Sequence, residues 1–376
     1  MPSTVRTSIF IILAGFSGLL AGQQKPGKGA VIGHVYCSDT NQPCRFAGVV
    51  LQQIPAAKSD QGSSSSQARP QAGHSYNAMS ALDGSFRIED VEPGTYYAIA
   101  NLLGYISFAA ELPKVNPRTG KLEAPTKPEQ LQKVAIEAGQ TAVEEIRLER
   151  GAAISGEVLY DDGSPGVNLS IHLYRKQKDD TWKDASSDLL WPRQWLHFEQ
   201  ITDDRGRYRE SGLDSGEYVI EVRFPHLSAH SSGFDVNGQG VFKVYSGGST
   251  RIHDATPVVV GSGEERTGED LTIPLTGTHR ISGFVTAEQD GHPLSHGTVA
   301  LLDPDDKAVL QYTALESGAF AFDTVPEGKY LLHFDEVADV ENEEYIRRYK
   351  AADRLLIVQS DNSALYFSLA ELKESK

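Results

Sequence analysis

A two-part pattern occurs three times along this 376-residue chain, and it restricts the fold more than any other feature. Each copy opens on an alternating apolar segment with Gly at one fixed place. The segments run from Ala30 to Tyr36, Ala153 to Leu159 and Arg280 to Thr286, and the glycines are Gly33, Gly156 and Gly283. Further along each copy comes a pair of glycines ten residues apart: Gly84 and Gly94, Gly206 and Gly216, Gly318 and Gly328. A tyrosine follows two residues after the second glycine of each pair, at Tyr96, Tyr218 and Tyr330. Self-similarity of this kind marks repeats of one supersecondary unit.

The unit reads as β structure. Phe86 and Ile88, or Phe320 and Phe322, alternate with polar residues, the period of a strand with one buried face. The first glycine of each pair suits a tight turn that needs positive φ, and the second turns the chain again. The tyrosines then start strands, with inward positions at Ala98 and Ala100, Ile220 and Val222, Leu332 and Phe334. A tyrosine so placed packs its ring and ties its hydroxyl to nearby backbone, as in tyrosine corners. Second strands are expected at Ala47 to Leu51, Val167 to Tyr174 and Gly297 to Leu302, and a short helix around Tyr345 to Ala352. Turn signals every 8–12 residues predict an all-β chain of three tandem antiparallel β-sandwiches. Two polar stretches, Gln52 to Ser80 and Pro113 to Pro128, read as surface loops.

The Gly-x-Val openings, Asp83-Gly84-Ser-Phe86 and Pro93-Gly94-Thr-Tyr96 resemble the carboxypeptidase regulatory-like domain. That family is a transthyretin-like sandwich grouped with carbohydrate-binding-like folds. The resemblance covers most of residues 29–372 in three copies. The second copy departs from it, with Arg205 before Gly206 and Ser215 before Gly216. Because these are turn and core residues, the resemblance implies a fold and leaves activity open. It implies glycans as a ligand class. It also implies an accessory role, since family members accompany a catalytic or receptor domain, as in a peptidase or an outer-membrane transporter.

The first 22 residues have the layout of a signal peptide: Arg6, an apolar run from Ile9 to Leu20, then Ala21 and Gly22. The mature chain is expected to be exported, either secreted or in the periplasm and cell envelope, with no membrane span. Its sandwiches are expected over residues 23–150, 151–276 and 277–376. The net charge of −16 is carried by the second and third, at −8 and −9, which argues against nucleic acid as a partner. Cys37 and Cys44, the only cysteines, flank the first turn of the first copy. In an oxidising compartment they are expected to form a disulfide, which closes a loop with about 2.5 kcal/mol of stabilisation.

The insertion from Lys176 to Gln200 holds all three tryptophans, Trp182, Trp191 and Trp195, beside Asp179, Asp180 and Asp188. Two readings stand. The indoles form a platform that stacks on sugar rings, or they plug the insertion onto its own sandwich. Catalytic motifs for zinc peptidases, serine hydrolases, phosphate loops and dinucleotide binding do not occur. His333 and Glu336 match a zinc-ligand spacing but lack a third ligand, and Ile99 and Glu221 stand where His333 stands in the other copies. Asp303, Asp305 and Asp306 lack the spacing of a calcium loop and read as a solvated turn. The expected protein is therefore a non-catalytic scaffold or binding protein without metal or cofactor. Its candidate partners are a polysaccharide or an envelope protein.

Overall fold

The computed structural model describes residues 27–54, 73–115, 122–125, 128–185, 201–224, 226–227, 234–235, 242–341 and 344–372. The signal-peptide segment, Asp188, Trp191 and Trp195 lie outside the described residues. Among the described residues no helix is long and apolar enough to cross a membrane.

Each third of the chain folds into a small sheet packed on a larger one. In the first third the strands are β1 (Gly29–Cys37), β2 (Gly48–Gln53), β3 (Ser75–Met79), β4 (Ser85–Val91), β5 (Gly94–Asn101), β6 (Gln132–Ile136) and β7 (Thr141–Leu148). Strand β1 lies between β4 and β7 in the small sheet, and the large sheet has the order β3-β2-β5-β6. The second third has β8 (Ala152–Tyr160), β9 (Ser170–Lys176), β10 (Trp182–Asp184), β11 (Arg207–Leu213) and β12 (Gly216–Arg223). It continues with β13 (Val244–Tyr245), β14 (Val258–Val260), β15 (Glu265–Thr267) and β16 (Leu271–Ile273). Here β8 lies between β11 and β15–β16, and β12 lies between β9 and β13–β14. The last third has β17 (Thr278–Ala287), β18 (His296–Leu302), β19 (Val309–Ala314), β20 (Ala319–Pro326), β21 (Gly328–Glu341), β22 (Glu344–Arg348), β23 (Ala352–Val358) and β24 (Asn362–Leu369). Strand β17 lies between β20 and β24, and β21 pairs with β18, β22 and β23.

Each sandwich has its own core. Val31, Phe86, Tyr96 and Ile146 meet in the first, Ile154, Tyr208, Tyr218 and Leu271 in the second, and Ile281, Phe320, Phe334 and Val358 in the third. The recurrent tyrosines are buried, and each hydroxyl donates to the carbonyl four residues back. The acceptors are Glu92 O at 2.7 Å, Asp214 O at 2.8 Å and Pro326 O at 2.8 Å. Each bond satisfies a turn carbonyl that burial would otherwise leave unpaired.

The glycines divide into kinds. Gly84, Gly206 and Gly318 take φ of +78°, +78° and +84°, the left-handed turn conformation the sequence predicts. Gly94 and Gly216 do not have positive φ. A Cβ there would come within 3.1 Å of Gln53 Nε2 and of Arg175 Nε, and would meet the tyrosine ring two residues on at ordinary contact distances of 3.5 Å and 3.7 Å. Gly328 has the same tyrosine contact, at 3.5 Å, with φ +156°. The opening glycines Gly33 and Gly283 permit close approach of a parallel strand, and Gly156 that of the β15–β16 connection. A Cβ on Gly33, Gly156 and Gly283 would lie 1.9 Å from Glu144 O, 2.3 Å from Glu269 O and 2.6 Å from Leu365 O.

Three features differ from the sequence reading. In each sandwich the first strand pairs in parallel with the last, Ala30 opposite Thr141 through Cys37 opposite Leu148 in the first sandwich. Alternation of side chains is the same in parallel and antiparallel strands, so strand direction has no signature in it. Ser75–Met79 is a strand inside the stretch read as a loop, pairing with Gly48–Gln52 and turning Tyr76 and Ala78 towards the core. Glu344–Arg348 is a strand instead of a helix. The 14-residue β21 overshoots its sandwich, and the chain folds back on it with Tyr345 opposite Val340 and Arg348 opposite Ala338. Tyr345 and Ile346 suit that pairing.

Candidate functional site

The repeats become chemically distinct on the outer faces of their large sheets. Three residues beyond each corner tyrosine, the central strand turns Ile99, Glu221 or His333 away from the core. In the first sandwich Ile99, Val50 and Tyr97 pack under Ala109 and Leu131, with Phe108 and Leu112 beside them. That face is closed by the chain itself. In the third, His333 Nδ1 meets Asp353 Oδ1 at 2.5 Å. Its sequence neighbour Glu336 lies at a left-handed residue, φ 51°, and is exposed. Among the described residues the two belong to no group of metal ligands.

The second sandwich buries charge at this position. Glu221 is fully buried, opposite His172 on β9 and Tyr245 on β13. Arg223 donates from Nε to Glu221 Oε1 and from Nη2 to the Tyr174 hydroxyl at 2.8 Å. Lys243 Nζ lies 3.7 Å from Glu221 Oε2. Among the described residues neither Glu221 Oε2 nor His172 Nδ1 has a hydrogen-bond partner. Burial, with Arg223 next, lowers the His172 pKa, which keeps the ring neutral. Burial and then Glu221 push the Tyr174 hydroxyl up to about 12, and the same two causes raise Tyr245. The face therefore holds a paired carboxylate, two cations, two protonated phenols and a neutral imidazole. Its two unbonded polar atoms, Glu221 Oε2 and His172 Nδ1, are buried beneath that face.

Register brings one predicted residue to this face. Trp182 stands opposite Lys176 and Asp184 opposite Tyr174, so the half-buried indole lies at its edge. Asp179 accepts from Thr181 Oγ1 at 2.6 Å, and Asp180 pairs with Lys176 at 3.2 Å, so these acids hold the β9–β10 hairpin. Sequence reasoning found Trp182 and missed Tyr174, His172, Arg223, Lys243 and Tyr245 as a group. The available signal was a Glu in one copy where the first has Ile, two residues before Arg223.

Two other sequence expectations resolve. Cys37 and Cys44 form a disulfide with Cα atoms 5.2 Å apart, next to the short pair of Gln42–Pro43 with β1. The acidic turn is only partly solvated. Asp303 is 1% exposed and bound by Arg251, which reaches over from the β13–β14 connection, donates to Lys329 O at 2.5 Å and stacks on the Tyr330 ring. His253 from the same connection brings its ring within 4.8 Å of Asp303 and Asp305, a grouping with metal-ligand chemistry. With one carboxylate oxygen of Asp303 committed to Arg251, the cluster acts as an ionic joint between the second and third sandwiches.

No protein-family model matches the chain. A 146-residue stretch is 23% identical to serine-aspartate repeat-containing protein I of Staphylococcus saprophyticus, covering 36% of this chain and 7% of that protein. The chain thus spans a small part of that relative's length. Among solved structures, it is similar to a streptococcal ancillary pilin, with a TM-score of 0.29, 9% identity, and 92% and 99% of the two chains covered. It is also similar to the Bacillus anthracis TIE protein, with a TM-score of 0.21, 10% identity, and 92% of this chain and 51% of that one covered.

Proposed function

We propose that the protein is a non-catalytic scaffold of three β-sandwiches that works outside the cytoplasm and binds polysaccharide on the outer face of the second. The carrying observation is the Glu221 cluster. It sets a buried ion pair, an imidazole and two phenols behind one sheet face, with the half-buried Trp182 indole and the side chains of Tyr174 and Lys176 at its edge. Sugars meet such faces through hydroxyl hydrogen bonds and through stacking of a ring on an aromatic side chain. The Cys37–Cys44 disulfide supports an oxidising compartment, in the envelope or outside the cell. The residues that recur in every copy are used in turns, strand contacts and tyrosine corners, which supports a structural role for the repeats and the carboxypeptidase regulatory-like reading of their fold.

An array of cell-wall and plant polysaccharides probed with the full chain tests the ligand class. Binding to one class, weakened by Trp182→Ala, is the expected result; absence of binding across the array removes the proposal. Stoichiometric zinc in the purified protein would contradict the non-catalytic reading. A second reading, an accessory role for a separately encoded peptidase or outer-membrane transporter, is favoured by one observation: the matching sheet of the third sandwich exposes Val309, Leu355 and Ile357.

A further inference from the structure

We infer that the third sandwich holds a second ligand site, for a peptide of two or three residues with both termini free, in a cavity of about 360 Å³ between β21 and the chain returning from β22. The cavity is built on a bulge. From His296 opposite Ala338 to Thr298 opposite Asp335, β18 advances two residues and β21 three. Glu336 stands in the bulge with φ 51°, a left-handed conformation that disfavours any residue with a side chain. Bulges re-aim side chains, and strain held at the rim of a cavity points to a use for the strained residue.

The charges lining the cavity are of both signs and are not spent on one another. Asp335 and Glu336 come from β21, and Arg348 and Lys350 from the returning chain. Among the described residues none of the four forms an ion pair. The Arg348 guanidinium stacks on the Tyr345 ring, 5.2 Å from its centre, which fixes the direction of its donors. Between the charges the floor is apolar and rigid. Val337 is 2% exposed, and the Tyr349 ring is held by its hydroxyl donating to Asp339 Oδ2 at 2.7 Å. Convergent charged groups over an apolar floor are the pattern of a small-molecule site. Here the two signs fit a zwitterion: an ammonium on Asp335 and Glu336, a carboxylate on Arg348 and Lys350, and an apolar side chain against Val337 and Tyr345. A single amino acid would leave much of the cavity unfilled and forfeit contacts with its walls, which favours a short peptide. This site is on a different sandwich from the polysaccharide face and stands or falls without it.

The test is calorimetric titration of the full chain with the dipeptide Ala-Leu. One saturable site is expected. The N-acetylated and the C-amidated dipeptides should each bind about tenfold more weakly, because each loses a charge-assisted contact. Arg348→Gln should weaken the free dipeptide about tenfold and leave binding of the amidated one unchanged, which ties Arg348 to the carboxylate. Glu336→Gly should also weaken the free dipeptide about tenfold, yet keep or raise the melting temperature, since glycine adopts φ 51° without strain. Trp182→Ala should bind the dipeptide as the wild type does. Absence of saturable binding overturns the proposal. So does equal binding of the acetylated or amidated dipeptide, binding of leucine alone as tight as that of Ala-Leu, or wild-type affinity in Glu336→Gly.

Discussion

Replacing the opening glycines by alanine separates the three sandwiches in a graded way. The new Cβ would lie 1.9 Å from Glu144 O at Gly33, 2.3 Å from Glu269 O at Gly156 and 2.6 Å from Leu365 O at Gly283. Unstrained carbon–oxygen contact needs about 3.3 Å, so the parallel strand at Gly33 and Gly283, and the β15–β16 connection at Gly156, must move by roughly 1.4, 0.7 and 1.0 Å respectively. Each obstacle is a backbone carbonyl and cannot swing aside as a side chain does. Moving the strand costs about 1–3 kcal/mol in overpacking and about 1 kcal/mol for each ladder bond lost. Alanine returns about 0.4–1 kcal/mol by restricting the unfolded chain. The net expectation is a loss of about 3–4 kcal/mol for Gly33→Ala, about 2–3 for Gly156→Ala and about 1–2 for Gly283→Ala. Hydrogen exchange under increasing denaturant reads each sandwich in the intact protein, because each has its own core. Losses confined to the altered sandwich and ranked in that order are predicted. A reversed order, or any variant within about 0.5 kcal/mol of the wild type, would refute the close-approach account.

Arg223→Ala should destabilise the second sandwich by about 3 kcal/mol, since it removes the hydrogen-bonded cation of the fully buried Glu221 carboxylate and leaves it Lys243 at 3.7 Å; converting both residues to leucine should recover most of the loss in the same denaturation assay. Two histidines should respond to pH with opposite sign. His172 has its pKa lowered by burial and then by Arg223, so the unfolded chain takes the proton first and the second sandwich should weaken as pH falls below 6.5. His292 has its pKa raised by its bonds to Asp290 and Asp339, so its contribution to the third sandwich is complete below 6.5 and is lost as pH rises through the folded value. Exchange protection followed across that range distinguishes the two. Reduction of Cys37–Cys44 should cost the first sandwich about 2.5 kcal/mol and leave the others unchanged, as read by the same exchange experiment.

What was legible in the sequence is what local chemistry dictates. The corner tyrosines, the left-handed turns at Gly84, Gly206 and Gly318 and the inward faces of their strands follow from spacing alone. The parallel partner of β1 does not, because Thr141–Leu148 alternates in the same way whichever direction it runs. Ser75–Met79 has only Tyr76 and Ala78 turned towards the core, a weak signal beside a run of serines. The Glu221 site combines β9, β12 and β13 with Lys243, and only comparison of the copies shows Glu221 as unusual. The Arg251–Asp303 pair spans 52 positions and two sandwiches, a distance over which sequence periodicity is silent. Trp182 was found because tryptophan is rare in this chain, and its place opposite Lys176 depends on the β9–β10 register.

The most direct test of the account is an equilibrium titration of the full chain with the polysaccharide that binds best on the array, repeated with Trp182→Ala and Leu355→Ser. The account predicts that Trp182→Ala weakens binding about tenfold, equivalent to about 1.4 kcal/mol, while Leu355→Ser binds as the wild type does. Equal binding by Trp182→Ala and the wild type, or a loss confined to Leu355→Ser, would contradict a ligand site on the second sandwich.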